Sequence, residues 1–477
     1  MKKIAVIGSG IGGLSAALHL KAKGYSVVVV EKNDWVGGKI REFSSQGYRF
    51  DKGPSLFTSP YLVDDVFTLF GKNPRDYYSY FKLNEACRYF NSNGESLVAY
   101  GNLKDFCKEI EEKINPDIAL KVSKYIQNSY KNYNLSLPLF INQNKGLLSQ
   151  EGLKMMINYN RMGIFKSLNN YNIQKLKHPF LVKIFNRFAT YNGSNPFKAP
   201  AVLNCIPALE HGEGSFFPVG GIYSIAKAMH RLALEEGVEF ILNHQVKELK
   251  QKGKKWIVSD LGDFDAVVIN GDYFTTQNIF PEKYQKKVPD ISELSSSGVV
   301  FYWGVNRVFS NLGVHNILFS DNYKYEFDLL EKGEVGEDLT VYIHISSKVE
   351  KSDAPEGAEN WFVMVNVPPF FMDDTQIDLI KRKVIQKINS VLKIDIESFI
   401  DFESVFHPKN IFQDTSGFNG ALYGYNSNSL NSMLKRPKNQ SDIPGIFYSG
   451  GTVFPGGGIP LCMSSGKIVS EVIQNFS

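Results

Sequence analysis

Cysteine is scarce and scattered in this chain. Its four cysteines (Cys87, Cys107, Cys205, Cys462) show no C-x-x-C or zinc spacing and no small-domain disulfide pattern, so reduced thiols in a cytosolic protein are expected. The eight histidines include no H-E-x-x-H or comparable ligand pair, which leaves a metal site without support. Long apolar runs are missing too. None reaches the roughly 18 residues of a bilayer-spanning helix, and no span is expected. Charge of either sign is nearly balanced, and a net +4 is too small to imply nucleic acid as a partner. There is no internal repeat and no low-complexity linker.

What is present is a large globular chain. At 477 residues it exceeds one ordinary core, and two or three domains are expected. Hydrophobic residues at 43% and charged residues at 21% are those of a folded protein. Aromatics are abundant, with 35 Phe and 24 Tyr. A large apolar cavity or a generous core would each account for that.

The most informative stretch is Lys3 to Lys32. Ile4-Ala5-Val6-Ile7 is an apolar run suited to a parallel strand buried on both faces. Gly8, Gly10 and Gly13 follow as G-x-G-x-x-G, with Gly12 as an additional glycine. Their tasks are a tight turn, close approach of backbone to a pyrophosphate, and close packing of helix on strand. A helix is expected from about Ile11 to Lys23, ended by Gly24, with its N-terminal N–H groups facing the phosphates. Val27–Val30 forms a second strand, and Glu31 stands 18 residues after Gly13, where an acid binds ribose hydroxyls. The acid favours an unphosphorylated ribose, hence FAD or NAD rather than NADP. Lys2-Lys3 before an apolar run resembles a signal peptide, but cleavage would destroy this fingerprint, and no signal is expected.

A second glycine pair, Gly37-Gly38, precedes Lys39 and Arg41, as in a loop closing over a nucleotide; a plain β-turn with surface bases is the alternative. Asp51-Lys52-Gly53-Pro54 makes another tight turn. From about Pro60 to Pro207 the pattern becomes helical and aromatic. Between Lys145 and Lys198 nine bases (145, 154, 161, 166, 175, 177, 183, 187, 198) face one acid, Glu151. Leu147-Leu148, Met155-Met156-Ile157, Met162, Ile164-Phe165 and Phe180-Leu181-Val182 are interleaved with them. Apolar groups framed by bases suit an anionic lipid surface. Amphipathic helices over a cavity, with solvated bases outside, would read the same.

The nucleotide pattern resumes at Phe217-Pro218-Val219-Gly220-Gly221, followed by a helix to Glu236 and a strand Val238–Leu242. The segment Asn243 to Val246 could accept an adenine edge through main-chain groups, and Asp265–Asp272 reads as a buried strand ending in the Gly271 turn. A second excursion, roughly Asn278 to Asp442, holds strands Val299–Val305, Thr340–Ser346 and Trp361–Val367 and a helix near Gln376–Leu392. Its acidic stretch Asp321–Asp338, seven acids against two lysines, is expected to be a solvated loop. Near the C-terminus, Gly445–Thr452 is a strand ending in glycines, Val453–Leu461 a bare-backbone loop, and Cys462–Phe476 a helix. Such a loop admits a planar ring, and the helix N-terminus behind it stabilises negative charge on a reduced flavin.

Together these motifs resemble the carotenoid-desaturase branch of the FAD-dependent amine-oxidase-like superfamily, which includes the bacterial phytoene desaturases. The matching pieces are Gly8-x-Gly10-x-x-Gly13 with Glu31, Gly37-Gly38-Lys39-x-Arg41, Asp51-x-Gly53-Pro54, Phe217-Pro218-x-Gly220-Gly221, and Gly450-Gly451-Thr452 with Pro455-Gly456-Gly457-Gly458-Ile459-Pro460. The wording of the last loop is more like the 1-hydroxycarotenoid 3,4-desaturases than the phytoene enzymes. The resemblance implies an α/β protein. Residues 1–85, 215–277 and 440–477 would form a Rossmann-like FAD-binding domain, discontinuous in sequence. Residues 86–214 and 278–439 would form a substrate domain of mixed sheet and helices, with a membrane-contacting part at about 120–200. The FAD contacts it implies are Gly8, Gly10, Ile11, Gly12, Gly13, Glu31, Lys32, Gly38, Lys39, Arg41, Gly53, Pro54, Ser55, Val246, Gly271, Gly451, Thr452, Gly458, Ile459 and Pro460.

The implied reaction places a new trans double bond in an acyclic or monocyclic, in some cases 1-hydroxylated, carotenoid. Hydride leaves for flavin N5, and a proton is lost from the neighbouring carbon. The polyene delocalises the cation left by the hydride, which makes that proton acidic, so positioning does most of the work and no dedicated catalytic base is implied. A hydrocarbon substrate implies a cytoplasmic protein peripherally attached to a membrane, with oxygen or a quinone as electron acceptor. The alternatives are a phytoene- or diapophytoene-type desaturase, a flavin oxidase of amines or porphyrinogens, and a non-catalytic prenyl-lipid-binding protein.

Overall fold

Short runs of valine and isoleucine between glycine turns build a five-stranded, all-parallel sheet. Its order is Ile446–Tyr448, Ala266–Ile269, Lys3–Ile7, Ser26–Val30, Glu239–Ile241. Val6 lies opposite both Val268 and Val29, and the central strands are buried on both faces, as their unbroken apolar sequence requires. The computed structural model describes residues 1–140, 149–429, 432 and 435–476. Helices Ile11–Ala22, Tyr223–Glu235 and Ile459–Phe476 cover one face through Leu14, Leu18, Ile225, Met229 and Val469. A three-stranded sheet with the fully buried Trp256 covers the other.

The second sheet has seven strands, ordered Ile400–Phe406, Ser297–Val305, Glu359–Val367, Val341–Ile345, His315–Leu318, Glu85–Phe90, Ser96–Tyr100. Its pairs are antiparallel except His315–Leu318 with Glu85–Phe90. Helix Asp374–Leu392, opened by an Asp373/Gln376 capping box, packs Ile377, Ile380, Val384 and Ile388 on one face. The hairpin Arg41–Ser45/Tyr48–Lys52 lays Tyr48 and Phe50 against Val300, Tyr302 and Phe362 on the other. The helical layer, from Pro116–Phe140 to Pro179–Asn186, surrounds Tyr125, Leu181, Phe185 and Phe188.

Three expectations are corrected. The acidic stretch 321–338 is not a solvated loop: it contains helix Tyr323–Glu331, whose Tyr323, Phe327 and Leu329 turn inward. Glu326 is buried with them and accepts hydrogen bonds from Ser320 Oγ (2.6 Å), Thr340 Oγ1 (2.7 Å) and Thr340 N (2.9 Å). A helical apolar stripe was hidden under the charge density.

The basic region 145–198 also presents less surface than its composition suggests. Met162, Ile164, Phe180, Leu181 and Val182 are buried. Arg187 is 7% exposed, and Lys183 donates to the carbonyls of Ser320 (2.9 Å) and Asp321 (3.1 Å). Leu153, Ile157 and Phe165, with Lys154 and Lys166, remain outward. Lys145 and Leu147-Leu148 lie outside the described residues.

The final helix starts at Ile459 rather than Cys462. Cys462 N donates to Gly458 O at 2.9 Å, so Pro460 sits in the first turn, where it has no helical N–H bond to forfeit.

Candidate active site

The two ends of the chain interlock through glycines. Gly8 has φ +99°, and a Cβ on Gly13 would stand 2.2 Å from the Gly8 carbonyl oxygen. A Cβ on Gly12 would stand 2.7 Å from Gly450 Cα, and one on Gly10 2.8 Å from Asn270 Oδ1. Ser449 Oγ donates to Gly12 O and Ser15 Oγ to Met463 O, both at 2.8 Å. The second glycine pair joins the same stack: Gly37 N donates to Ser9 O at 2.8 Å, and a Cβ on Gly38 would lie 3.0 Å from Gly10 Cα.

A cavity of about 880 Å³ runs from this stack to the seven-stranded sheet. Of the residues expected to contact a cofactor, Gly8, Gly10, Ile11 and Gly12 line it from the first turn, with Glu31 and Lys32 beyond the second strand. Gly38, Lys39 and Arg41 line it from the glycine-pair loop, and Gly53, Pro54 and Ser55 from the next turn. Val246, Gly271, Gly451, Thr452, Gly458, Ile459 and Pro460 complete this part of the wall. Gly13 does not reach the cavity; its absent side chain serves the contact of helix with strand. The far wall is largely apolar, with Val300, Ile317, Phe362 and Met364 from the seven-stranded sheet.

Several charged groups along the wall are already held by protein. The buried Glu31 carboxylate accepts from Ser9 N and Oγ (both 2.8 Å) and from Asn33 N and Nδ2 (both 3.0 Å). Lys32 Nζ donates to Gln413 O (2.8 Å) and Ser416 Oγ (2.9 Å). Arg41 pairs with Asp414 at 3.4 Å and lies over the Trp35 ring. Lys39 Nζ donates to the Leu422 carbonyl; burial pulls its pKa down, and Asp272 works against that. Burial pushes the Asp272 carboxyl up, and its Oδ1 accepts from Phe274 N and Thr275 N.

Two motifs shared with the resembled family prove to be parts of one joint. Asp51 Oδ2 accepts from Ile222 N at 3.1 Å at the start of helix Tyr223–Glu235, and Asp51 Oδ1 takes Arg49 Nη2 at 2.8 Å. Arg49 also donates to the Gly220 carbonyl (2.8 Å) and pairs with Asp353 (3.1 Å). A Cβ on Gly221 would lie 2.0 Å from Arg49 Nη2. These residues lock the hairpin onto the helix.

Asn270 was missed by sequence reading. Its side chain lines the cavity, touches the space beside Gly8, Gly10, Gly12, Gly13 and Gly450, and donates to Ser449 O at 3.1 Å. An asparagine just after a buried strand was the available signal. The 411–422 segment that holds Lys32, Lys39 and Arg41 gave none. Among the described residues no group of three or more His, Cys, Asp or Glu side chains could hold a metal. Among them, too, no helix is long and apolar enough to cross a membrane.

The sequence pattern of the flavin-containing amine oxidoreductases matches residues 11–474. The chain belongs to that family. It is 42% identical to a 1-hydroxycarotenoid 3,4-desaturase of Flavobacterium sp. (strain P99-3), covering 100% of this chain and 99% of that protein. It is 30% identical to a 4,4'-diapolycopene oxygenase of Methylomonas sp, covering 99% and 98%. Among solved structures, putrescine oxidase bound to putrescine superposes with a TM-score of 0.64 at 12% identity over 99% of each chain. A putative protoporphyrinogen oxidase from Exiguobacterium sp. 255-15 gives 0.59 at 12% identity over 100% and 99%. At that identity the likeness speaks for the fold.

As a member of the carotenoid desaturase and oxygenase branch of the family, the protein is an oxidoreductase whose cofactor is FAD. The site fits that group. No side chain caps the N-terminus of helix Ile11–Ala22, leaving its first N–H groups beside the cavity. Gly458, at φ +98°, has nothing within 4 Å of a built Cβ, so a planar ring can approach bare backbone there.

Proposed function

We propose that the protein is a carotenoid desaturase that introduces a trans double bond into an acyclic or monocyclic, hydroxylated polyene. One observation carries the reading: the cavity continues without a break from the glycine stack into apolar space against the seven-stranded sheet. The 42% identity along the whole chain supports desaturation over the oxygenation named for the 30% relative. In this reading residues 1–85, 215–277 and 440–477 form the FAD unit, and 86–214 and 278–439 the substrate unit.

When bound, FAD supplies a two-electron acceptor for hydrogen drawn from an allylic carbon. The chain's own residues do the rest. Gly10, Gly12 and the uncapped turn at Ile11 would receive the pyrophosphate, and Gly53-Pro54-Ser55 and Gly458-Ile459-Pro460, which line the same cavity, would hold the ring. Val300, Ile317, Phe362 and Met364 exclude water and keep the polyene straight against it.

The substrate enters from a membrane in this account. Tyr61, 43% exposed, lines the cavity together with Tyr133 and Leu137 of helix Pro116–Phe140. The neighbouring helix Gln150–Ile157 carries the exposed Leu153, Lys154 and Ile157. Apolar groups beside bases suit the lipid–water boundary.

The test is expression in cells that accumulate defined acyclic, hydroxylated or monocyclic carotenes. Red-shifted pigments with one added double bond are expected. A yellow, flavin-loaded protein that leaves every carotene unchanged overturns the reading. Oxygen added at the chain end without a new double bond would favour the oxygenase alternative.

A further inference from the structure

One part of the cavity wall is unlike the rest. Arg187, Tyr191 and Glu210 all line it, and all three belong to the helical layer between residues 187 and 213. Arg187 Nη2 donates to Glu210 Oε1 at 2.6 Å, Nη1 to Tyr191 Oη at 2.8 Å, and Nε to Tyr89 Oη at 2.7 Å. Tyr191 Oη donates to Glu210 Oε2 at 2.6 Å. The Arg187 and Glu210 side chains are 9% and 1% exposed. Beside them, Tyr342 Oη bonds Ser55 Oγ at 2.6 Å and His315 Nδ1 at 2.7 Å, while His315 Nε2 is buried without a partner among the described residues. Ser55, Tyr342 and His315 line the same cavity.

The charge state of this cluster is set by its members. Burial works against Arg187, but Glu210 and its other neighbours hold its pKa well above the usual value. Burial likewise opposes ionisation of Glu210; Arg187, His211 and Tyr191 overcome it, and the carboxyl stays below its ordinary range. Burial, His344 and Arg187 push His315 well down, so it is neutral. An ion pair in contact with a cavity therefore persists where a purely hydrocarbon ligand could use neither charge, and burying such a pair is costly.

Its unused bonding capacity has a definite form. Arg187 has five N–H donors, and the three bonds above leave two without an acceptor among the described residues. The Glu210 carboxylate, with one bond at each oxygen from Arg187 and Tyr191, retains lone pairs. A donor and an acceptor side by side complement one group that both donates and accepts. A hydroxyl is such a group.

We propose that Arg187, Glu210 and Tyr191 form an end-group site that binds a hydroxyl near the end of the polyene, so that the enzyme selects an oxygenated chain end over a plain hydrocarbon. The inference rests on the carotenoid desaturase reading and adds to it the residues that set substrate class. Ser55 of the Gly53-Pro54-Ser55 turn, hydrogen-bonded to Tyr342 and through it to His315, lines the same cavity as the cluster. The bound hydroxyl thus fixes which carbons stand at the ring. No proton or electron moves at this site.

The test compares the flavin-loaded enzyme on a 1-hydroxylated acyclic carotenoid and on the same carotenoid without the hydroxyl, in detergent micelles. The wild type is expected to prefer the hydroxylated form. In the paired variant Arg187→Met/Glu210→Leu, which leaves no lone buried charge, the ratio of the two kcat/KM values should fall roughly 10- to 100-fold, mostly through KM for the hydroxylated substrate. Tyr191→Phe should move the ratio the same way, and it carries the comparison if the paired variant loses its flavin. An unchanged ratio in folded, yellow variants overturns the site and leaves a structural ion pair. Turnover of both substrates by the wild type without preference overturns it too, while the desaturase reading stands. Turnover of neither overturns that reading and this inference with it.

Discussion

Gly12, near the N-terminus, and Gly450, near the C-terminus, lie so close that a Cβ on Gly12 would be 2.7 Å from Gly450 Cα and 2.8 Å from its nitrogen. Backbone cannot yield as a flexible side chain can. Gly12→Val should therefore either unfold the nucleotide unit or push the last strand away, at a cost of about 1–3 kcal/mol. Loss of flavin absorbance in the purified variant is the expected result; a fully loaded, equally stable variant would show that the contact is not tight.

Gly458 separates cofactor binding from folding. Its φ of +98° strains any side chain, but a Cβ there meets nothing within 4 Å and projects into the cavity space. Gly458→Val should stay folded, with a loss of about 1–2 kcal/mol from the left-handed backbone, and hold flavin weakly. Flavin titration of the apoprotein beside a thermal melt checks both halves.

Asn270 should behave as a positioning residue of the glycine stack. Asn270→Ala removes the bond from Nδ2 to Ser449 O and the side chain that fills the space between Gly10 and Gly450. A loss of about 1–3 kcal/mol in stability is expected from the freed carbonyl and the void. Chemical denaturation of holo and apo forms measures it.

Acid sensitivity is written into the first helix. His19 is buried, and its Nδ1 donates to Ser15 O at 2.8 Å. Burial, partly offset by that bond, lowers its pKa from 6.5 to about 4. Between those values the unfolded chain binds more protons than the folded one. Stability is therefore intact above pH 6.5 and is lost as pH falls toward 4, by about 3 kcal/mol from this group. His19→Gln should flatten that part of the stability-against-pH curve relative to wild type. Parallel slopes would remove His19 from the account.

Membrane docking can be tested on two of the lysines of the basic region that remain outward. Lys154→Glu with Lys166→Glu should weaken co-sedimentation with anionic liposomes by about 1 kcal/mol per charge, an effect that disappears at high salt. Flavin content should not change. Unaltered sedimentation at low salt would move the docking face elsewhere.

Much of the nucleotide half was legible because its signals are local. Glycine at 8, 10 and 13, a valine run ending in Glu31, and a glycine turn before the last helix each depend on neighbours a few residues away. The Asp51 and Gly220-Gly221 motifs were equally visible, yet their joint purpose was not, since Asp51 caps a helix 171 residues further on. Arg187 illustrates the same gap. In sequence it is one of nine bases in a stretch that reads as surface, and in the fold it is buried against Glu210.

By itself, then, the sequence determined the strand–turn–helix unit, the acid that follows it and the family to which the chain belongs. Backbone conformation at glycines and the burial of apolar runs are short-range consequences of residue type. Tertiary structure alone decided that Gly12 meets Gly450, that 321–338 carries a packed helix, and that Arg187 faces the cavity instead of solvent. Those outcomes turn on which way a side chain points once distant segments have packed, and a charge is silent about that until its partner is in place.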